Sequence, residues 1–251
     1  MDRPLSQLVA MTRTLGERER DLVILSEGNT SARADEDTFW IKVSGSRMAE
    51  AKEQSFVRVH LEEVLTLLDA ALPEWMFRIH LAAAKVKPDA PGSPSIETAL
   101  HALCLTLGDA AFVGHTHPTA INAILCARKA ETAFTRAISP AESLVGGQPL
   151  FVPFVPSGQP LAWAVEAALR AYKECQREPP HALLLQNHGL VALGSSPQEV
   201  VDITEMMVKT ARTLASTYAL GGPHFVDDEP YQERGGAASN GTYLRRYSGP
   251  G

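Results

Sequence analysis

The chain has 251 residues, 45% of them hydrophobic and 21% charged, with a formal net charge of −6 and a pI near 5.8. That length buries enough apolar surface to fold without a disulfide framework or a structural metal, so any metal site is free to be catalytic. The acidic balance, with only an isolated Arg245–Arg246 pair near the end, argues against a nucleic-acid surface. No run of about 18 apolar residues predicts a membrane span, and the opening MDRPLSQLVAMTRTLGERERD lacks the apolar core of a signal peptide. The expectation is a cytoplasmic protein. Cys104, Cys126 and Cys175 have no Cys-x-x-Cys spacing and lie in apolar helical contexts, so each is expected to be a buried small hydrophobe.

Residues 4–20 read as an amphipathic helix with Leu5, Leu8, Val9 and Met11 on one side. Arg33 to Asp37 is polar and predicts a hairpin turn, followed by a strand from Thr38 to Val43. Phe56 to His60 predicts a further strand and Leu61 to Ala71 a helix. After the Pro88–Pro94 loop, Ser95 is placed as the N-cap of a helix whose first turn holds Glu97. Ala111 to His117 reads as a buried strand stopped by Pro118, and Thr119 to Ala127 as a helix. Leu150 to Val155 is a strand and Leu161 to Gln176 a helix. Ala182 to Leu193 is a strand pair or bent strand, interrupted at Asn187-His188-Gly189. Pro197 to Leu220 is the longest helix, with proline in its first turn and Gly221-Gly222-Pro223 as its stop. Alternation of helices and strands places the chain in the α/β class. The predicted division is a domain over 1–222 and a tail or inter-subunit arm over 223–251.

Four groups of residues carry chemistry. His115 and His117 stand two apart on a strand, so their side chains share a face about 7 Å apart along the chain. Imidazoles so placed can meet one ion through bonds of about 2.0–2.1 Å; the alternative is two unrelated polar residues at a strand end. His188 breaks an apolar strand, which is costly unless the ring is paired. It is either a hydrogen-bonded core residue or a third ligand, and three histidines leave a coordination position open. Glu97, near a helix start, is either a capping carboxylate or a general acid/base beside the ion. His101, one turn on, either supports Glu97 or is a surface residue. Gly28-Asn29-Thr30-Ser31 and Val43-Ser44-Gly45-Ser46 are turns whose backbone N–H groups and small polar side chains suit an anion.

In order along the chain, GNTS, KVSGS, PSIE with His101, HTHP and NHG resemble the class II aldolase/adducin-like family, over roughly residues 5–220. The resemblance implies a three-layer α/β/α fold around a mostly antiparallel sheet. It implies a homotetramer with active sites between subunits. It further implies that His115, His117 and His188 bind the metal and that Glu97 is the acid/base. Gly28, Asn29, Ser44, Gly45 and Ser95 would then line the site for the substrate's phosphate or terminal oxygens. The metal is expected to be zinc, with manganese, cobalt or nickel as substitutes, and the substrate a small sugar-like ketose or ketose phosphate. Three departures stand out. Ile96 occupies the place of a second serine found in the phosphate-binding sugar aldolases. Lys42-Val43 replaces a Thr-Pro pair, so that Lys42 is available to offset substrate charge, as in the aldolase part of rhamnulose-phosphate aldolase fusions. No tyrosine lies between His117 and Pro160, where the fuculose-phosphate aldolases carry a proton donor; Tyr231, Tyr243 and Tyr247 in the tail are the available substitutes. The expected reaction is retro-aldol cleavage through a metal-stabilised enediolate. Decarboxylation, epimerisation or dehydration are its alternatives within the family, and a non-catalytic adducin-like module lies outside enzymology.

Overall fold

A computed structural model describes residues 3–145, 148–176 and 178–226. The tail beyond 226, with Tyr231 and the roles expected of it, lies outside the described residues. In chain order the elements are α1 (Arg3–Leu15), β1 (Asn29–Arg33), β2 (Thr38–Lys42), β3 (Phe56–His60), α2 (Leu61–Thr66), α3 (Glu74–Ala83) and α4 (Thr98–Thr106). These are followed by β4 (Phe112–Thr116), α5 (Thr119–Leu125), α6 (Ala130–Ala133), β5 (Leu150–Val152), α7 (Gln159–Cys175), β6 (Ala182–Leu185), β7 (Gly189–Gly194) and α8 (Pro197–Thr217). Among the described residues the strands form one sheet in the order β3-β2-β1-β4-β7-β6-β5. Every pairing is antiparallel except β5 with β6.

The period-two geometry of a strand sends successive side chains into two separate cores. Along β7, Leu190 and Ala192 join a core built with α1, α5 and α8, whereas Val191 and Leu193 join one built with α2, α3, α4 and α7. Such a sheet, apolar on both faces, must be covered on both, and the expected α/β/α layering follows. The same alternation along β4 sends Val113 to the α4 side, and His115 with it, while Gly114 faces Leu15 and Val200. A buried hydroxyl pair, Thr12 Oγ1 to Thr30 Oγ1 at 2.6 Å, ties α1 to β1.

Several boundaries differ from expectation for identifiable reasons. Helix α1 stops at Leu15 rather than 20, because the chain turns at Gly16 against the Met48–Ala49 backbone. A Cβ on Gly16 would lie 2.3 Å from Ala49 N. Helix α2 stops at Thr66 rather than 71, since α7 takes over the backbone groups that would extend it. Gln159 Nε2 donates to the carbonyls of Leu67 and Ala70, Gln159 Oε1 accepts from Leu72 N, and Trp163 Nε1 donates to Leu68 O. Helix α3 has no counterpart among the predicted elements: only Phe77 and Leu81 are buried, while Trp75 and Ile79 are exposed, so its apolar spacing is blurred. Strand β5 ends at Val152, short of Val155. Helix α8 starts as expected, with Ser196 Oγ accepting from Glu199 N and proline in its first turn; Gly221, at φ +101°, closes the turn after it. Of the cysteines, Cys104 is buried, with its thiol pushed up by desolvation, but Cys126 and Cys175 sit exposed at helix ends. The apolar neighbours that suggested burial for those two face the other way. No helix among the described residues is long and apolar enough to cross a membrane.

A Cβ on Gly114 would meet Val200 Cγ1 at 2.6 Å. Gly114→Ala is therefore expected to lower stability by about 1–3 kcal/mol through overpacking. Paired with Val200→Ala, which opens space at the same point, the loss should be smaller than the sum of the single losses, as measured by chemical denaturation.

Candidate metal centre

Antiparallel pairing aligns Asn29, at the start of β1, with His115 of β4. Both side chains point toward α4, at whose N-terminus Glu97 lies. The β6–β7 hairpin brings the third imidazole: Leu185 pairs with Gly189, and Gln186-Asn187-His188 make the turn, with Asn187 in the left-handed region at φ +55°. That turn is so closely packed that a Cβ on Gly189 would come 2.4 Å from Thr116 O and 2.9 Å from His117 Cδ2. Asn122, in the first turns of α5, donates to His188 O at 3.0 Å.

The three rings converge. His115 Nε2 lies 3.0 Å from His117 Nε2 and 3.3 Å from His188 Nε2. Nitrogens bound tetrahedrally to one zinc at about 2.0–2.1 Å would be separated by about 3.3–3.4 Å, so the donor set fits such an ion. His115 Nδ1–H donates to Leu190 O at 2.9 Å, which leaves the Nε2 lone pair directed at the common point. Glu27 approaches the other face of His117, 3.8 Å from Nδ1, with its own carboxylate held by Ile24 N.

Glu97 faces the same point. Its carboxylate oxygens lie 3.4 Å from His115 Nε2 and 3.2 Å from His188 Nε2, and it accepts from Asn29 Nδ2 at 2.8 Å. Burial pushes the carboxyl upward, but His115, His188 and the Asn29 amide outweigh that and hold it below the usual carboxylate range. Burial also lowers His115 to about 4 and His117 to about 3. His115 and His117 are therefore neutral at pH 7, as ligands must be, and the hydrogen bond from Asn29 is what steadies the Glu97 anion there. His101 is fully buried rather than a surface residue, and burial lowers it to about 4.

The remaining expected residues lie close by with less direct contact. Gly28 has φ +70°, and a Cβ there would lie 2.7 Å from His115 O. Lys42 is buried, its ammonium donating to Ser46 O at 2.6 Å; desolvation lowers it to about 8, against the opposing field of Glu97. Ser44 and Gly45, the latter at φ +78°, are both exposed, and the bridge of Val43 with Pro94 sets them beside the segment that leads to Ser95 and Glu97. Ser95 is buried but does not cap α4 as expected: its Oγ accepts from Glu97 N two residues on, and the helix begins at Thr98. Sequence reasoning missed Glu27 and Asn122, and it placed Ser31 in an anion-binding turn where the structure has strand β1. Glu27 directly precedes the GNTS motif, and the strand register alone reveals which face Ser31 occupies. The cleft lined by Asp35, Glu36, Asp37, His60, Glu62 and Glu63 opens at the opposite end of β1.

Residues 6–215 match the family described as Class II Aldolase and Adducin N-terminal domain, and the chain belongs to that family. It is 28% identical over 218 residues to the uncharacterized oxidoreductase YuxG of Bacillus subtilis (strain 168); the match covers 82% of this chain but 29% of that protein. The fold resembles the N-terminal class II aldolase domain of a Thermoplasma acidophilum protein (TM-score 0.68, 24% identity, 86% of this chain and 95% of that one). It also resembles an L-fuculose 1-phosphate aldolase (TM-score 0.68, 19% identity, 91% and 92%). A third similar structure is YgbL of Klebsiella pneumoniae, a putative aldolase/epimerase/decarboxylase (TM-score 0.66, 21% identity, 86% and 89%).

The depressed histidines set a pH dependence for the metal-free protein. Below pH 6.5 the unfolded chain takes up protons at His101, His115 and His117 that the folded chain refuses until about pH 4 or lower. The unfolded state binds more protons across that window, so stability rises with pH and is lost as pH falls from about 6.5 toward 4. Urea denaturation between pH 7.5 and 4 should show this slope; a flat profile would contradict the neutral buried rings.

Proposed function

We propose that the chain is a zinc-type, metal-dependent aldolase that cleaves a small ketose or ketose phosphate by a retro-aldol reaction. The observation that carries this reading is the convergence of three imidazole nitrogens and one buried carboxylate on a single point. His115, His117 and His188 would hold the cation, which when bound supplies Lewis-acid stabilisation of the enediolate charge left when the carbon–carbon bond breaks. Glu97 is the acid/base: in the cleavage direction the proton that the substrate hydroxyl gives up as it becomes the aldehyde passes through Glu97 to the carbanionic carbon, and in the addition direction Glu97 removes a proton from that carbon. Holding the carboxyl ionised before substrate arrives suits the second task. Lys42, Ser44, Gly45 and Ser95 take the substrate's terminal oxygens. Ile96, partly buried against Gly158, adds no donor to that subsite.

Exposed apolar side chains support an assembly in which neighbouring subunits meet near the site. Ile24 and Leu25, on the loop that carries Glu27, are 62% and 72% exposed, and Phe154, whose N–H donates to Gln186 of the His188 turn, is 60% exposed. We read them as contacts of a homotetramer.

Glu97→Gln keeps the residue's shape and removes its basicity. Turnover of a panel of ketose 1-phosphates and unphosphorylated ketoses should fall by about 10²–10⁴-fold with zinc content unchanged. Undiminished aldehyde release would overturn the assignment, and carbon dioxide or an epimer without aldehyde would point to the family's other reactions. For the assembly, Leu25→Asp should shift the protein to smaller species in light scattering; an unchanged mass would remove that loop from the interface.

A further inference from the structure

We infer that His101 is a positioning residue that works through Asn29 to set the direction in which the Glu97 carboxylate faces. The inference rests on the role proposed for Glu97.

His101 lies on α4, one turn beyond Glu97, and is completely buried. The neighbouring buried positions of that helix, Leu100, Ala102, Leu103 and Leu105, are apolar. An imidazole among them costs desolvation that an apolar side chain would not, unless its hydrogen bonds return something. Both ring nitrogens are engaged. Nδ1 lies 2.7 Å from Ser31 Oγ, and Nε2 is in short contact with Asn29 Oδ1. On its other end, Asn29 Nδ2 donates to Glu97 Oε2 at 2.8 Å. Ser31, His101, Asn29 and Glu97 thus form one buried chain.

The donor inventory permits a single direction along it while Glu97 is an anion. A carboxylate only accepts, so Asn29 must turn its NH2 toward Glu97 and its carbonyl toward His101. The carbonyl also only accepts, so His101 Nε2 must carry the ring proton. Nδ1 is then a lone pair and Ser31 donates to it. Reversing the amide would set Asn29 Oδ1 against a carboxylate oxygen, which is tolerable only with Glu97 protonated. An amide has two ends of nearly equal size, and packing hardly distinguishes them. Glu97 does so from one end and the N–H of His101 from the other. Without that N–H, the Asn29 carbonyl is left buried and unpaired, the amide is held by the carboxylate alone, and the donor that steadies Glu97 between His115 and His188 is loosened.

The test compares the full-length wild-type protein with His101→Leu and His101→Gln, each zinc-loaded and checked by thermal melting and metal content. A Gln amide N–H reaches about where Nε2–H does, whereas Leu fills the space without a donor. Two readouts are used: solvent-exchange protection of the Asn29 side-chain amide by 15N NMR, and incorporation of deuterium from D2O into dihydroxyacetone phosphate and hydroxyacetone. His101→Leu should lose the Asn29 protection and at least about tenfold in kcat for exchange, with KM within about twofold. His101→Gln should recover most of both. Unchanged protection and rate in His101→Leu would overturn the inference. So would a loss in His101→Gln as deep as in His101→Leu when both fold and hold zinc, since that pattern marks packing alone. If the wild-type protein exchanges no deuterium into either ketone, the aldolase reading fails, and Asn29 protection in the two variants still decides whether His101 orients the amide.

Discussion

The pairing of β1 with β4 sets the register on which the site depends. With Asn29 opposite His115 and Ser31 opposite Val113, the odd-numbered side chains of both strands face α4. A slip of β1 by one residue would turn Asn29 and Ser31 into the opposite core, away from His115, and leave Glu97 without its Asn29 donor. The register is held from both sides. Val113 packs among the α4-side residues, while Thr30 is bonded to Thr12 of α1 on the other face. The second of these contacts matters because a strand with polar side chains on both faces would otherwise have little to choose between registers.

Around that register, several buried polar groups find their partners in other parts of the chain. His115 is oriented by the carbonyl of Leu190, His188 is held through its own carbonyl by Asn122, and Glu97 is met by Asn29. Lys42, whose ammonium bonds no carboxylate among the described residues, is instead satisfied by the carbonyls of its own turn. Unpaired, any of these groups would cost several times what a surface polar contact returns. The backbone is shaped for the same end, with Asn187 in the left-handed region and Gly189 where no side chain fits.

Much of this was legible before the structure. The histidine pair, the histidine interrupting an apolar strand and the carboxylate near a helix start are local patterns, and they converge as their spacing suggested. The α/β class followed from alternation of elements, and the three layers from the resemblance to the class II aldolase/adducin-like family. What escaped depends on distant partners. Helix α2 ends where Gln159, roughly ninety positions away, takes its carbonyls. Helix α3 was hidden because Trp75 and Ile79 are apolar yet exposed. Ser95 looked like a cap but makes a tighter turn, and the same local reading wrongly buried Cys126 and Cys175. His101 was ambiguous for the same reason: its partners Asn29 and Ser31 come from about seventy positions earlier.

The two cores divide the molecule unequally with respect to chemistry. The α4 side carries Glu97, His101 and His115 within its packing, so a change of volume there moves the carboxylate and both imidazoles together. The side built from α1, α5 and α8 meets those groups mainly through the sheet and through Thr12. Drift is therefore cheap on that layer and expensive on the other. A lineage that kept this cluster of side chains could rewrite its α1 and α8 surfaces, and the partners those surfaces meet, while the geometry beneath the opposite face stayed as it was.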